Sequence, residues 1–72
     1  MKCRIERWLK IDGAFVRRGE IICILNSGTT DQEIEATEAG ILRHLKKEGA
    51  FISDATDEFV RIELPGKRGR GR

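Results

Sequence analysis

The sequence predicts an all-β domain: a flattened β-barrel or sandwich of two halves related by a pseudo-twofold axis. Two observations carry this expectation. First, the chain repeats itself. Residues 4–16 and 40–52 match at an offset of 36, with seven of thirteen positions identical: Ile5/Ile41, Arg7/Arg43, Leu9/Leu45, Lys10/Lys46, Gly13/Gly49, Ala14/Ala50 and Phe15/Phe51. With a two-residue insertion the match runs on from 20–25 into 58–63. Second, each copy ends in a β-rich segment. Residues 21–25 are almost all β-branched or aliphatic, and in 58–64 Val60, Ile62 and Leu64 alternate with Arg61 and Glu63.

The repeat orders the elements. A strand is expected over 3–10, because Ile5, Trp8 and Leu9 sit in a stretch with no helix cap. Asp12-Gly13 then supplies a turn, 15–16 a short strand, Gly19 a second turn, and 20–25 a third strand. Asn26, Ser27, Gly28, Thr29 and Thr30 form a polar hairpin tip, with Gly28 free to take a positive φ. Strands over 32–36, 40–46, 51–52 and 58–64 complete the second half, with turns at Glu48-Gly49 and Thr56-Asp57. Residues 31–47 also carry helical spacing at Ile34, Ile41, Leu42 and Leu45. Gly40 in the middle of that segment would cost a helix roughly 1 kcal/mol, and 41–52 copies a first repeat that reads as strands. Strands are therefore expected there too.

The simplest core consists of Ile5, Leu9, Phe15, Ile22, Ile24, Ile41, Leu45, Phe51, Val60 and Ile62. Trp8 and His44 fall at equivalent, partly exposed strand positions of the two copies.

The chain has 72 residues and a formal net charge of +2. That length allows one domain with a small core. Four of the fourteen basic residues, Lys67, Arg68, Arg70 and Arg72, lie in 66–72, and none of the twelve acidic ones does. Residues 1–65 therefore read as a mildly acidic domain, and 66–72 as a flexible basic Gly/Arg tail suited to anions. Four clustered charges suit phosphates or an acidic protein surface. The tail has no aromatic residue to stack on bases, which argues against sequence-specific reading. Asp31, Glu33, Glu35 and Glu38 form an acidic stretch, with no basic residue from 26 to 39.

Catalytic and metal chemistry find little purchase. His44 is the single histidine, and Cys3 and Cys23 form no CxxC pair. No glycine pattern makes a phosphate loop. No metal, cofactor or small-molecule substrate is expected, and the chain does not read as an enzyme. The longest apolar run is residues 21–25, so no membrane span is expected. No secretory signal is expected either. Two reduced thiols in a cytoplasmic setting, or within a large intracellular or viral assembly, follow as expectations.

Residues 8–25, the stretch Glu33-Ile-Glu-Ala-Thr-Glu-Ala-Gly40, and 41–63 together resemble the biotinyl/lipoyl carrier domain, a barrel-sandwich hybrid. The resemblance spans about residues 5–64. In that family a lysine at the hairpin tip carries biotin or lipoate through an amide. It stands eight residues before a proline whose position here is Thr37, so the carrier position is Thr29. A threonine hydroxyl cannot form that amide, and no lysine lies between Lys10 and Lys46. The family's domains also begin with an earlier strand that lies beside the last one. Here that first strand is shortened, so residues 1–4 do reduced duty or a neighbouring chain covers the edge.

The resulting expectation is a non-catalytic, lysine-less module acting as a small structural, assembly or adaptor protein, with virion decoration among its roles. Its partner would be another protein or a second copy, with nucleic acid or an acidic surface reached through the tail. The alternative is an accessory or degenerate carrier domain of a biotin- or lipoate-dependent enzyme complex.

Overall fold

The computed structural model describes residues 3–53 and 56–64. It is all-β, with seven strands: β1 (Cys3–Trp8), β2 (Phe15–Val16), β3 (Ile21–Asn26), β4 (Asp31–Glu35), β5 (Gly40–His44), β6 (Phe51–Ile52) and β7 (Val60–Glu63). They form two antiparallel sheets, one ordered β4-β3-β1-β6 and the other β2-β5-β7. This is a flattened sandwich, and the sheets do not close into a barrel. No helix forms over 31–47. That segment gives β4, a bend and β5, and the bend lets Ala36 bury while its N–H donates to the Glu20 carbonyl at 2.8 Å.

The two halves exchange their short strands. β2 leaves the first half to pair with β5, and β6 leaves the second to pair with β1. The exchange is reciprocal down to single hydrogen bonds. Gly13 N–H donates to the Leu42 carbonyl at 2.7 Å, and Gly49 N–H to that of Ile5 at 2.8 Å. Leu42 N–H donates to Ala14 at 2.9 Å, and Ile5 N–H to Ala50 at 2.9 Å. Both Gly13 and Gly49 take φ near +90°, at 91° and 89°, which a side chain would resist.

These bonds correct the repeat in two places. Ile5 does the work of Leu42 rather than of Ile41, because a β-bulge between Ile5 and Arg7 adds one residue to β1. Ile5 and Leu42 are both fully buried, whereas Ile41 is half-buried beside Phe15. Likewise Leu9 N–H bonds Ile22 and Leu45 N–H bonds Phe59. β3 and β7 are thus related by an offset of 37, so the second copy carries a one-residue insertion rather than two.

The core is Ile5, Val16, Ile22, Cys23, Leu25, Ala36, Leu42 and Ile52, with Ile34, Phe59, Val60 and Ile62 packed against it. Several expected members lie elsewhere. Phe15 is 51% exposed, Phe51 63%, Leu9 40% and Leu45 39%. The reason is strand alternation. In β2 and β6 the inward residues are Val16 and Ile52, so the preceding phenylalanines face out. Leu9 and Leu45 lie just past the ends of β1 and β5, which stop at Trp8 and His44. Ile24, between buried Cys23 and Leu25, points outward as well and stays half-buried.

Gly40 is held by close packing. A Cβ there would sit against the Glu63 carbonyl and 2.7 Å from Ile62 Cγ2, so only glycine lets β5 approach β7 this closely.

Candidate functional site

The hairpin tip stands where the sequence places it, between β3 and β4. Asn26 organises it. Its amide donates to Asp31 Oδ1 at 2.7 Å, and its Oδ1 accepts from Gly28 N–H at 3.0 Å. Ser27 N–H donates to the Thr30 carbonyl at 3.0 Å, and Gly28 takes φ 97°. Ser27, Gly28, Thr29 and Thr30 are all exposed. Thr29, within the tip, presents a hydroxyl and no amine.

A cleft of about 370 Å³ opens beside the tip, lined by Cys3, Arg4, Asn26, Ser27, Gly28 and Phe51. Antiparallel pairing builds it: Arg4 lies opposite Asn26 on one side and Phe51 on the other. Exposed Phe51 therefore borders the tip. Its counterpart Phe15 lies on the other sheet, opposite Ile41, with the Arg17 guanidinium 5.9 Å from its ring.

Where β1 ends, at Trp8, lies a second cleft, of about 350 Å³, lined by Trp8, Leu9, Lys10, Ile11, His44, Lys47 and Glu48. Here Trp8 and His44 stack with ring centroids 3.8 Å apart and planes 10° from parallel. Each is held by the opposite half. Trp8 Nε1 donates to the Lys46 carbonyl at 3.1 Å, and His44 Nε2 lies 2.9 Å from that of Lys10. A carbonyl only accepts, so Nε2 carries a proton. Trp8 N–H donates to Glu48 Oε2 at 3.0 Å, and His44 N–H to Asp12 Oδ1 at 2.8 Å. The sequence makes the two rings equivalent but gives no sign that they touch. In the fold Asp12 and Glu48 each reach across the axis, but nothing in their spacing requires it.

Two acids reinforce the same symmetry. Glu20 accepts from Arg17 N–H at 2.7 Å and lies 3.6 Å from Lys10 Nζ. Asp57 accepts from Ser53 N–H at 3.0 Å and lies 2.9 Å from Lys46 Nζ. In each case the backbone donor, then the lysine, holds the carboxyl below its ordinary pKa.

Burial, then the charge of Glu48, pushes the Cys23 thiol up to about 11, so it is unreactive at neutral pH. Cys3 is half-buried, and both cysteines are free. Among the described residues no group of three His, Cys, Asp or Glu side chains could hold a metal ion. Among them, too, no helix is long and apolar enough to cross a membrane.

Asp31, Glu33, Glu35 and Glu38 are exposed, the first three along β4 at a sheet edge. Lys67, Arg68, Arg70 and Arg72 lie outside the described residues. No protein-family model, curated protein or solved structure matches the chain.

Proposed function

We propose that the chain is a non-catalytic, lysine-less module of the biotinyl/lipoyl-like kind, working as a small structural, assembly or adaptor protein. Its partners are protein surfaces, a second copy of itself included. Its setting is the cytoplasm or a larger intracellular or viral assembly. The observation that carries this reading is the exposure of Phe15 and Phe51. Both copies of the repeat place a phenylalanine at the same outward position, where it adds nothing to the core and presents an aromatic anchor of the kind that dominates protein interfaces. Thr29 at the tip supports the same reading, because it offers no amine for an acyl arm. The basic residues of 66–72 would add a contact for an acidic surface or for phosphates.

The experiment pairs two measurements on the full chain. Intact mass is read after expression with biotin and lipoate ligases, and sedimentation velocity is followed across concentration. The reading expects the bare chain mass and a sedimentation coefficient that rises with concentration. A biotinyl or lipoyl mass increment at any residue would overturn it.

A further inference from the structure

Among the described residues, the pseudo-twofold leaves one strand position without an occupant. It maps β6, β1 and β3 of one sheet onto β2, β5 and β7 of the other. β3 carries β4 on its outer edge, but among the described residues nothing lies on the corresponding edge of β7. Cys3 and Arg4 do not reach it, because they pair with β6 and β3.

The backbone groups of this edge can be assigned. Leu45 N–H donates to the Phe59 carbonyl, so antiparallel alternation makes Arg61 and Glu63 the next residues that bond β5. Leu42, opposite Ile62, spends its N–H and carbonyl on Ala14 and Gly13, and His44, opposite Val60, gives its N–H to Asp12. Val60 and Ile62 therefore aim their N–H and C=O groups at the open edge. Their counterparts at the offset of 37, Cys23 and Leu25, are residues of β3 paired with β4. An edge of this kind is a template for another strand.

We propose that this edge pairs with β7 of a second copy, antiparallel and centred on Ile62, to give a twofold dimer with one sheet running through both chains. The proposal rests on the assembly reading above and names its partner and register. Charge selects the register. Outward-aimed backbone groups must meet one another, so Ile62 can face Val60, Ile62 or Leu64 of the other copy. The first choice sets Arg61 against Arg61 and the third sets Glu63 against Glu63. Only the second sets each Arg61 against a Glu63, twice by symmetry. Within the chain Arg61 sits directly opposite Arg43. Arg43 has Glu63 at 3.3 Å and Asp12 at 3.8 Å, whereas Arg61 has no acid within ion-pair distance among the described residues. The second copy supplies one. The same register lays Leu64, 42% exposed, beside Val60 of the other chain.

The chain's own basic segment is a poorer occupant. In the register of β4 on β3, it would set Arg70 against Arg61 and put Gly69 and Gly71 over Ile62 and Val60. That adds a like-charge pair and covers no apolar surface.

Light scattering of the full chain tests the dimer, with circular dichroism to verify folding. Wild type should reach twice the 8.2 kDa chain mass as concentration rises. Arg61→Glu is exposed and faces Arg43, so the variant should fold, yet its dimer should weaken about tenfold or more. The double variant Arg61→Glu/Glu63→Arg should restore association. A dimer unmoved by Arg61→Glu, or not rescued by the double variant, overturns the β7 pairing and leaves the assembly reading standing on another surface. A wild-type chain that stays monomeric at millimolar concentration overturns the pairing together with self-association.

Discussion

Trp8 and His44 stack face to face at 3.8 Å on the pseudo-twofold, and each ring nitrogen bonds a lysine carbonyl of the other's repeat. The two rings act as a clasp between halves whose sequences are 36 residues apart. Stacked rings contribute about 0.5–1.5 kcal/mol beyond the area they cover.

That contact has a spectroscopic consequence. Trp8 is the single tryptophan, so its emission reports on His44 alone among nearby imidazoles. In His44→Ala the indole loses the ring stacked on it, so its emission should shift toward that of a more solvent-exposed indole, and urea unfolding should show a loss of about 1–2 kcal/mol from stacking plus one hydrogen bond. Emission and stability both unchanged in that variant would show that the rings are not stacked in solution.

The bulge in β1 predicts which isoleucine or leucine matters. Leu42→Ala removes the buried counterpart of Ile5 and should cost about 2–5 kcal/mol. Ile41→Ala, half-buried on the outer side, should cost clearly less, and Phe15→Ser or Phe51→Ser about 0.5 kcal/mol or less. Equal losses at 41 and 42 in denaturant titrations would restore the uncorrected repeat.

Gly40→Ala should destabilise by about 1–3 kcal/mol, because the added carbon meets backbone at Glu63 rather than a movable side chain. Gly28→Ala has open space around it and should cost only the positive φ, roughly 1–2 kcal/mol. Thermal melts of the two variants separate the packing cause from the conformational one.

Acid should loosen both halves together. Glu20 and Asp57 are held below their ordinary 4.5 and 3.8, so each contributes stability above those values and loses it as pH falls through the lowered pKa. Both carboxyls are solvent-accessible, which keeps the effect modest. Stability measured from pH 6 downward should decline below about 4.5, and Glu20→Gln with Asp57→Asn should flatten that decline.

Alkylation should distinguish the thiols. At neutral pH Cys3 should label and Cys23 should not, since burial keeps the latter protonated up to about 11. Rapid labelling of Cys23 in the folded chain would contradict its place in the core.

Much of the fold was legible because turns and alternation are local. Asp12-Gly13, Gly19, Gly28 and Glu48-Gly49 mark turns by their own chemistry, and every expected strand formed within a few residues of its predicted limits. The hairpin tip was legible for the same reason. The outward turn of Phe15, Phe51, Leu9 and Leu45 was not, because hydrophobicity states a preference for burial and says nothing about which way a two-residue strand points. The bulge was equally hidden, since Ile5 and Ile41 are identical and the sequence offered no reason to pair Ile5 with Leu42.

By itself, then, the sequence determined the strands, the turns, the two-copy plan and the threonine at the tip, all of which follow from residue type and spacing. Only the tertiary structure decided how the copies interlock. The exchange of β2 and β6, the contact of Trp8 with His44, and the edge of β7 left open among the described residues arise from pairing between distant segments. There a one-residue slip redirects every side chain, and only the packed backbone fixes the register.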